Sequence, residues 1–530
     1  MIDLNINDEQ RFQILPPNRK EQAHALCKYL DDKECGYIIV EKSYFDRVYL
    51  EDFIEYHLTA FPHYKKMCSR IHYFTSKDLD SLDVDQFKLR FLLNKDQDLD
   101  TRLISNYIGF SVIKPLPNIF IGRTSLKPPN DVDTFITNRN ICHVFGHSIE
   151  FNALVFQEQD PTIGACASTS LWSVFHACTE VFDNVPTPAP SKITKIAATQ
   201  FSTTTRIYPS CGLDPSQMIS VIKNAGLETE YWESVHEPFK SDFKSLVYGY
   251  CHLPAPAILL LYLRSRDVNN LNEYHSPDHT VVVSGYKIDS NMETYHDFQK
   301  WGERIISLYI HDDNGGSYLE CPLFLEKQPT KVYDFDAVQQ IVKFHEDPTD
   351  VVCLKIPRYT LSHLTPEGYE IAEICGIIFP LHDKIRINLN EILKIMARMH
   401  RIIDEYLKVD ENASMWDIHL STISDFKKDL LEQDIEDYVK IKLMTNNYPR
   451  FFWRCICIFN GLRLMEFIFD ATDLSTSIHV SECFFYNAMK LRKFVVFLKK
   501  EEIGIIKALN SAEHYKTLLK LVERWIKAES

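Results

Sequence analysis

Three apolar runs, at 257–264 (AILLLYLR), 279–288 (HTVVVSGYKI) and 304–313 (RIISLYIHDD), constrain this chain most. Each is rich in aliphatic and β-branched residues and too short for a core helix, which is the mark of strands in a buried sheet. Upstream the pattern is helical. Asp214-Pro215-Ser216-Gln217 supplies an N-cap, a proline at the first helical position and a glutamine at the capping-box position, and Gly226 closes that helix. An earlier helix starts at Cys166, with Ala167, Leu171, Val174, Phe175 and Cys178 at helical spacing on one face. Residues 151–329 therefore read as a helical lobe followed by a sheet lobe.

A chain of 530 residues exceeds a single hydrophobic core, so flanking domains are expected. Residues 1–150 read as an N-terminal α+β region, with helical patterns at 20–30 and 53–60. Strand-like runs follow at 107–115, halted by Pro115 and Pro117, and at 118–123. Residues 330–530 read as a mainly α-helical C-terminal region, in which a short β-like piece at 351–356 precedes long 3.6-period patterns such as 513–527. The fold class is α+β.

Composition narrows the function. A net charge of −15 repels phosphate backbones, so nucleic acid is not expected as a partner. With 16 glycines and no GxxxxGK[ST] or GxGxxG, phosphate-cradling loops are disfavoured, and no cofactor is expected. No run approaches the ~20 apolar residues of a membrane helix, and the start, MIDLNINDEQRF, is acidic rather than signal-like. The 14 cysteines form no CxxC pair. A cytoplasmic protein without membrane contact is the expectation.

The chemistry points to one stretch, FQEQDPTIGACASTSLW at 156–172. Pro161 and Gly164 mark a loop, and Cys166 stands where that loop becomes a helix. A thiol there meets the positive end of the helix dipole, which favours the nucleophilic thiolate. Such a nucleophile needs a base that is itself oriented by a third group. His279, opening the VVVSGY strand, is the candidate base. An acid in His311-Asp312-Asp313-Asn314, at the end of the next strand, can reach it if the two strands are neighbours; Asp312 is preferred, with Asp313 and Asn314 as rivals. The Cys166 backbone N–H and a glutamine side chain, Gln159 before Gln157, are the candidate oxyanion donors.

This order of Gln, Cys at a helix start, His before V-V-V-x-G-Y and Asp closing the next strand resembles the papain-like cysteine peptidase superfamily, in particular the C39-like peptidases. The stretches FQEQDPTIGACASTSLW and YIGFSVIKPLPNIFIGRTSLKP resemble a set of largely uncharacterised bacterial C39-like proteins. The resemblance implies a papain-like C39-type domain at 151–329 and cleavage of a peptide or isopeptide bond through a thioester. It also implies Cys166, His279, Asp312 and Gln159 as the site, and a protein or peptide as substrate. The family glutamine usually lies six residues before the cysteine, where this chain has Asp160; Ala167 replaces a common glycine, and 291–304 lengthen the His to Asp interval. Acyl transfer to an amine, as in transglutaminases, and a non-catalytic scaffold whose C-terminal region binds a regulatory protein are the alternative functions.

Other residues have simpler readings. His275, His252 and His311 compete with His279 but lack the strand that follows it. Cys142, His143 and His147 offer soft metal ligands without a fourth, and Gly146 breaks a helix that would align the histidines. Trp453, Cys455 and Cys457 lie in an apolar run and read as core.

Overall fold

The computed structural model describes residues 20–75, 104–119, 121–144, 146–199, 212–235, 237–264, 278–290, 298–336, 341–359, 368–407, 414–472, 474, 480–509 and 512–526. Helix and sheet are mixed throughout, as the α+β class requires. Along the chain, α1 (Glu21–Asp32) leads to β1 (Cys35–Tyr44), α2 (Arg47–Asp52) and five strands: β2 (Cys68–Thr75), β3 (Tyr107–Ile113), β4 (Ile121–Leu126), β5 (Thr134–Phe135) and β6 (Asn138–Val144). Next come β7 (His147–Phe156), α3 (Cys166–Val181), α4 (Pro190–Ala198), α5 (Pro215–Asn224), β8 (Glu228–Glu233), α6 (Glu237–Cys251), β9 (Ile258–Leu263) and β10 (His279–Ile288). Strands β11 (Gln299–Lys300), β12 (Ile305–Asp312), β13 (Gly316–Asp336), β14 (Ile341–Pro357) and β15 (Tyr369–Leu381) precede α7 (Leu389–Leu407). The chain ends with β16 (Ser414–Thr422), α8 (Ile423–Glu432), α9 (Asp437–Thr445), β17 (Phe451–Phe459), β18 (Leu462–Asp470), β19 (Val480–Phe485), α10 (Ala488–Lys500), α11 (Glu502–Leu509) and α12 (Ala512–Ile526). The capping box at Asp214 forms, with both reciprocal bonds to Gln217 present. The helix expected at 53–60 starts earlier, because Asp46 caps it by accepting from the Tyr49 N–H at 3.0 Å, and it ends as a π-helical turn over Phe53–His57.

Contacts group the chain into two compact units, Met1–Lys240 with Pro254–Lys287 and Ile306–Pro380, and Ser241–Leu253 with Ile288–Ile305 and Leu381–Ser530. This differs from three consecutive segments divided at 150 and 329. The first unit needs strands from beyond residue 329 to complete its sheet.

That unit holds two sheets. One runs β1-β2-β3-β4-β7-β6, every neighbour pair antiparallel, over a core that includes Tyr37, Ile39, Phe74, Tyr107 and Phe151. The other runs β12-β13-β14-β15-β9-β10, and β12 pairs with β10 as well, so the sheet closes on itself. Closure removes the exposed edges that an open sheet carries. Every residue of β9 is buried, which explains an unbroken rather than alternating apolar run. The β-like piece expected at 351–356 is the end of a longer strand, paired with β13 from Leu323↔Leu354 onward to Asp336↔Ile341.

The second unit carries the sheet β11-β16-β17-β18-β19, with β11 parallel to β16 and the other pairs antiparallel. A mainly helical C-terminal region is thereby corrected: strands alternate with helices there. Trp453, Cys455 and Cys457 lie fully buried in the central strand β17, as core. Among the described residues no helix is long and apolar enough to cross a membrane.

Candidate active site

Cys166 is the first residue of α3, and its N-cap, Ala165, is extended and makes no side-chain cap. Ser168 N–H donates to the Ala165 carbonyl at 3.0 Å, while no capping side chain claims the N–H groups of Cys166 and Ala167, which lie at the end of the helix that stabilises an anion. Of the cysteines among the described residues, Cys166 is the only one that is not buried. Its helix is fastened to the strand that carries the base: Ser170 Oγ donates to the Thr280 carbonyl at 3.4 Å, next to His279. On the other side Ser168 Oγ meets Thr194 Oγ1 of α4 at 2.8 Å, and Ser173 Oγ donates to the Val155 carbonyl at 2.6 Å.

His279 opens β10 and Asp312 closes β12, and the pairing of these strands brings the two together. Their side chains meet at 2.8 Å, Nε2 to Oδ1, in a buried setting. Cys166 lies close enough to the ring to raise the His279 pKa as well. Burial alone would lower the His279 pKa; the Asp312 charge and hydrogen bond, together with Cys166 and Asp313, hold it well above the ordinary histidine range. Burial also works against an ionised Asp312, and the Arg358 charge and His279 reverse this, holding it well below the usual carboxylate range. The site thus favours an imidazolium against a carboxylate.

Two residues absent from the sequence reading complete it. Arg358 Nη1 donates to Asp312 Oδ2 at 2.7 Å, and its Nε donates to Glu370 Oε2 at 2.8 Å, both ion pairs being buried. Arg358 follows β14 and Glu370 lies in β15, so the part of the chain beyond residue 329 contributes to the site. No local signal marks either residue: Arg358 is 46 positions from the acid it holds. The turn that follows Asp312 is shaped by glycine. A Cβ on Gly315 would lie 2.6 Å from Arg358 Nη1, and Gly316 adopts φ +150° with a Cβ position 2.7 Å from Ala25. Gly315→Ala is expected to push the guanidinium off Asp312, lowering the unfolding midpoint in denaturant. An unchanged midpoint would show that the turn has slack.

The three rivals for the acid now separate. Asp312 holds the imidazole, Asn314 donates its backbone N–H to Asp312 Oδ1 at 3.0 Å, and Asp313 Oδ1 lies 3.8 Å from His279 Nε2.

The glutamines stand differently. Gln159 Nε2 donates to the Gly164 carbonyl at 3.4 Å, inside the loop before Cys166, and Gln157 is buried beside a polar cavity lined by Asp52, Lys114, Glu158 and Asp160. Asp160, six residues before Cys166, organises the loop. It accepts from the Thr162 N–H at 3.0 Å and from His57 Nε2 at 3.0 Å, while its carbonyl accepts from Ile163 and Gly164. Burial opposes its ionisation, but His57 and Lys114 prevail and lower its pKa. Asp160→Ala leaves a buried imidazole without its acceptor, and is expected to cost roughly 2 kcal/mol in denaturant unfolding. A loss below about 0.5 kcal/mol would show that the loop holds without it.

The competing histidines lie elsewhere. His311 packs against the rings of Phe156 and Tyr318, and burial pushes it down to about 3, a neutral core residue. His252 belongs to the second unit, stacked on His419 at 3.8 Å. His275 is outside the described residues. Cys142 and His143 are neighbours in β6, Cys142 buried against His72 and His143 exposed and bonded to Ser148 Oγ, so the two face opposite ways. Among the described residues, His279, Asp312 and Asp313 alone have donor atoms close enough to share a metal ion, within 4.8 Å of one another. The hydrogen bond to Nε2 and the guanidinium on Asp312 instead suit them to hold protons and a fixed cation.

No protein family matches the chain, and no curated protein matches its sequence.

Proposed function

We propose that the chain is a papain-like cysteine hydrolase that cleaves a peptide or isopeptide bond. The observation that carries this reading is an Asp312-anchored imidazole whose pKa Cys166 also raises, Cys166 being the one cysteine among the described residues that is not buried and standing at a helix start without a side-chain cap. In the proposed cycle Cys166 Sγ attacks the carbonyl carbon, while the Cys166 and Ala167 N–H groups of α3 stabilise the oxyanion. His279 gives its proton to the departing amine as the C–N bond breaks, leaving a thioester. It then takes a proton from water, whose oxygen attacks the thioester carbon, and the C–S bond breaks to release the acid and the thiolate, with His279 again protonated. Arg358 and Glu370 keep Asp312 charged and in place, so that the ring holds its orientation. Free thiols at Cys68, Cys142, Cys166, Cys178, Cys321, Cys353, Cys455, Cys457 and Cys483 suit a reducing compartment, and the cytosol is the proposed location.

Product analysis tests this. A library of peptides and isopeptide-linked peptides is expected to yield hydrolysed products with the wild type and none with a folded Cys166→Ala protein. If added amine diverts the product to a new amide, the thioester stands but the acceptor is an amine. Equal turnover by Cys166→Ala would refute the assignment.

A further inference from the structure

Asp313 is the buried group for which the cycle above has no use. Its side chain lies beside the His279–Asp312 pair, 3.8 Å from the same ring nitrogen that Asp312 holds at 2.8 Å. Among the described residues neither of its carboxyl oxygens has a hydrogen-bond partner, although the residue is 5% exposed. A carboxyl in that position would cost stability without return if it served packing alone. Its backbone is held firmly, because Gln22 Nε2 of α1 donates to the Asp313 carbonyl at 2.8 Å.

The titratable and charged groups facing it are His279 from β10, Asp312 in its own turn and Arg358 after β14. Arg358 is bonded to Asp312 and not to Asp313, which makes the two adjacent acids unequal. Burial first, and then the Asp312 charge, push Asp313 up to about 7 against the pull of His279, so it keeps its proton where Asp312 has lost one.

Resting on the proposed cysteine chemistry, we propose that Asp313 is a reserve partner for His279: when the Asp312 bond is lost, Asp313 releases its proton to solvent and accepts the Nε2–H in its place. The ring nitrogen and Oδ1 need to approach by about 1 Å to reach ordinary hydrogen-bond distance. Asp313 is a positioning residue in this scheme, acting on the thiol through the imidazole.

The test uses the full chain as wild type, Asp312→Asn, Asp313→Asn and the double variant. Two quantities are read across about pH 5 to 9: the iodoacetamide labelling rate of Cys166, and the protonation of His279 by nitrogen-15 NMR of its ring. Asp312→Asn is expected to label about 10-fold more slowly than wild type while Asp313 is still protonated and to recover as Asp313 ionises, which loss of the Asp312 charge moves to lower pH. The double variant is expected to stay low throughout, at least about 10-fold below the single variant near pH 8, a coupling within the range for residues that share one partner. Superimposed profiles of the single and double variants would overturn the proposal. Should Asp312→Asn not fold, Asp313→Asn decides: the upper limb of the His279 titration is expected to move, and an unmoved limb refutes the role. If wild-type Cys166 labels like any ordinary thiol while the ring shows the switch, the cysteine chemistry fails and the reserve stands. Rapid wild-type labelling with no difference between single and double variants fails the reserve alone.

Discussion

His279→Ala is expected to slow alkylation of Cys166 by at least about 10-fold at pH 7 and about 100-fold at pH 6. An ordinary thiol, with a pKa near 8.5, is only about 3% ionised at pH 7 and about 0.3% at pH 6, and thiolate is the reacting species. Asp312 holds His279 in its charged form, and an imidazolium beside an attacking sulfur favours the anion. The pH sign follows from the direction of each shift. His279 is raised, so its contribution to stability is complete below its unfolded value near 6.5 and disappears as pH rises through the folded value. Asp312 is depressed, so its contribution exists above about 3.9 and disappears as pH falls. Both contributions are therefore complete between about pH 4 and 6.5, and the wild-type labelling advantage is expected to be largest toward the upper acidic end and to shrink as pH rises. Equal rates for wild type and His279→Ala across about pH 5 to 9 would remove the thiolate–imidazolium pair from consideration.

Arg358→Ala is expected to lower stability by about 3–5 kcal/mol, the range for breaking a buried ion pair from one side. The guanidinium bonds Asp312 and Glu370 at once, so its removal takes a buried charge partner from both carboxylates and leaves Asp312, with Asp313 adjacent, on His279 alone among its ion-pair partners. Lysine does not replace it: a single ammonium lacks the planar fork that reaches both acids. Arg358→Lys is accordingly expected to recover less than half of the loss in denaturant unfolding. Cys166 labelling is expected to fall with it, because Asp312 loses the charge that keeps it ionised. A variant within about 0.5 kcal/mol of wild type would show that the brace is dispensable.

What the sequence disclosed follows from how each signal is encoded. Strands β9, β10 and β12 are short unbroken apolar runs, and α5 carries its own cap, so both kinds of element are legible from neighbouring residues alone. The loop into Cys166 is legible for the same reason. Strands β16 to β19 are not, because runs such as LRLMEFIFD suit a buried helix segment as well as a strand, and 3.6-period patterns such as 513–527 give the whole region a helical look. Arg358 and Glu370 were invisible because their meaning lies in partners far along the chain. Asp160 looked like a departure from a family pattern, whereas in the fold it holds the loop to His57.

The chain passes between its two compact units five times, at 240/241, 253/254, 287/288, 305/306 and 380/381. No single cut in the gene yields either unit whole. During synthesis β14 and β15 emerge well after Cys166 and His279, so until Arg358 and Glu370 have left the ribosome the acid is unbraced and the closed sheet lacks its last strands. The thiol is thus expected to gain its reactivity late, once most of the polypeptide has been made.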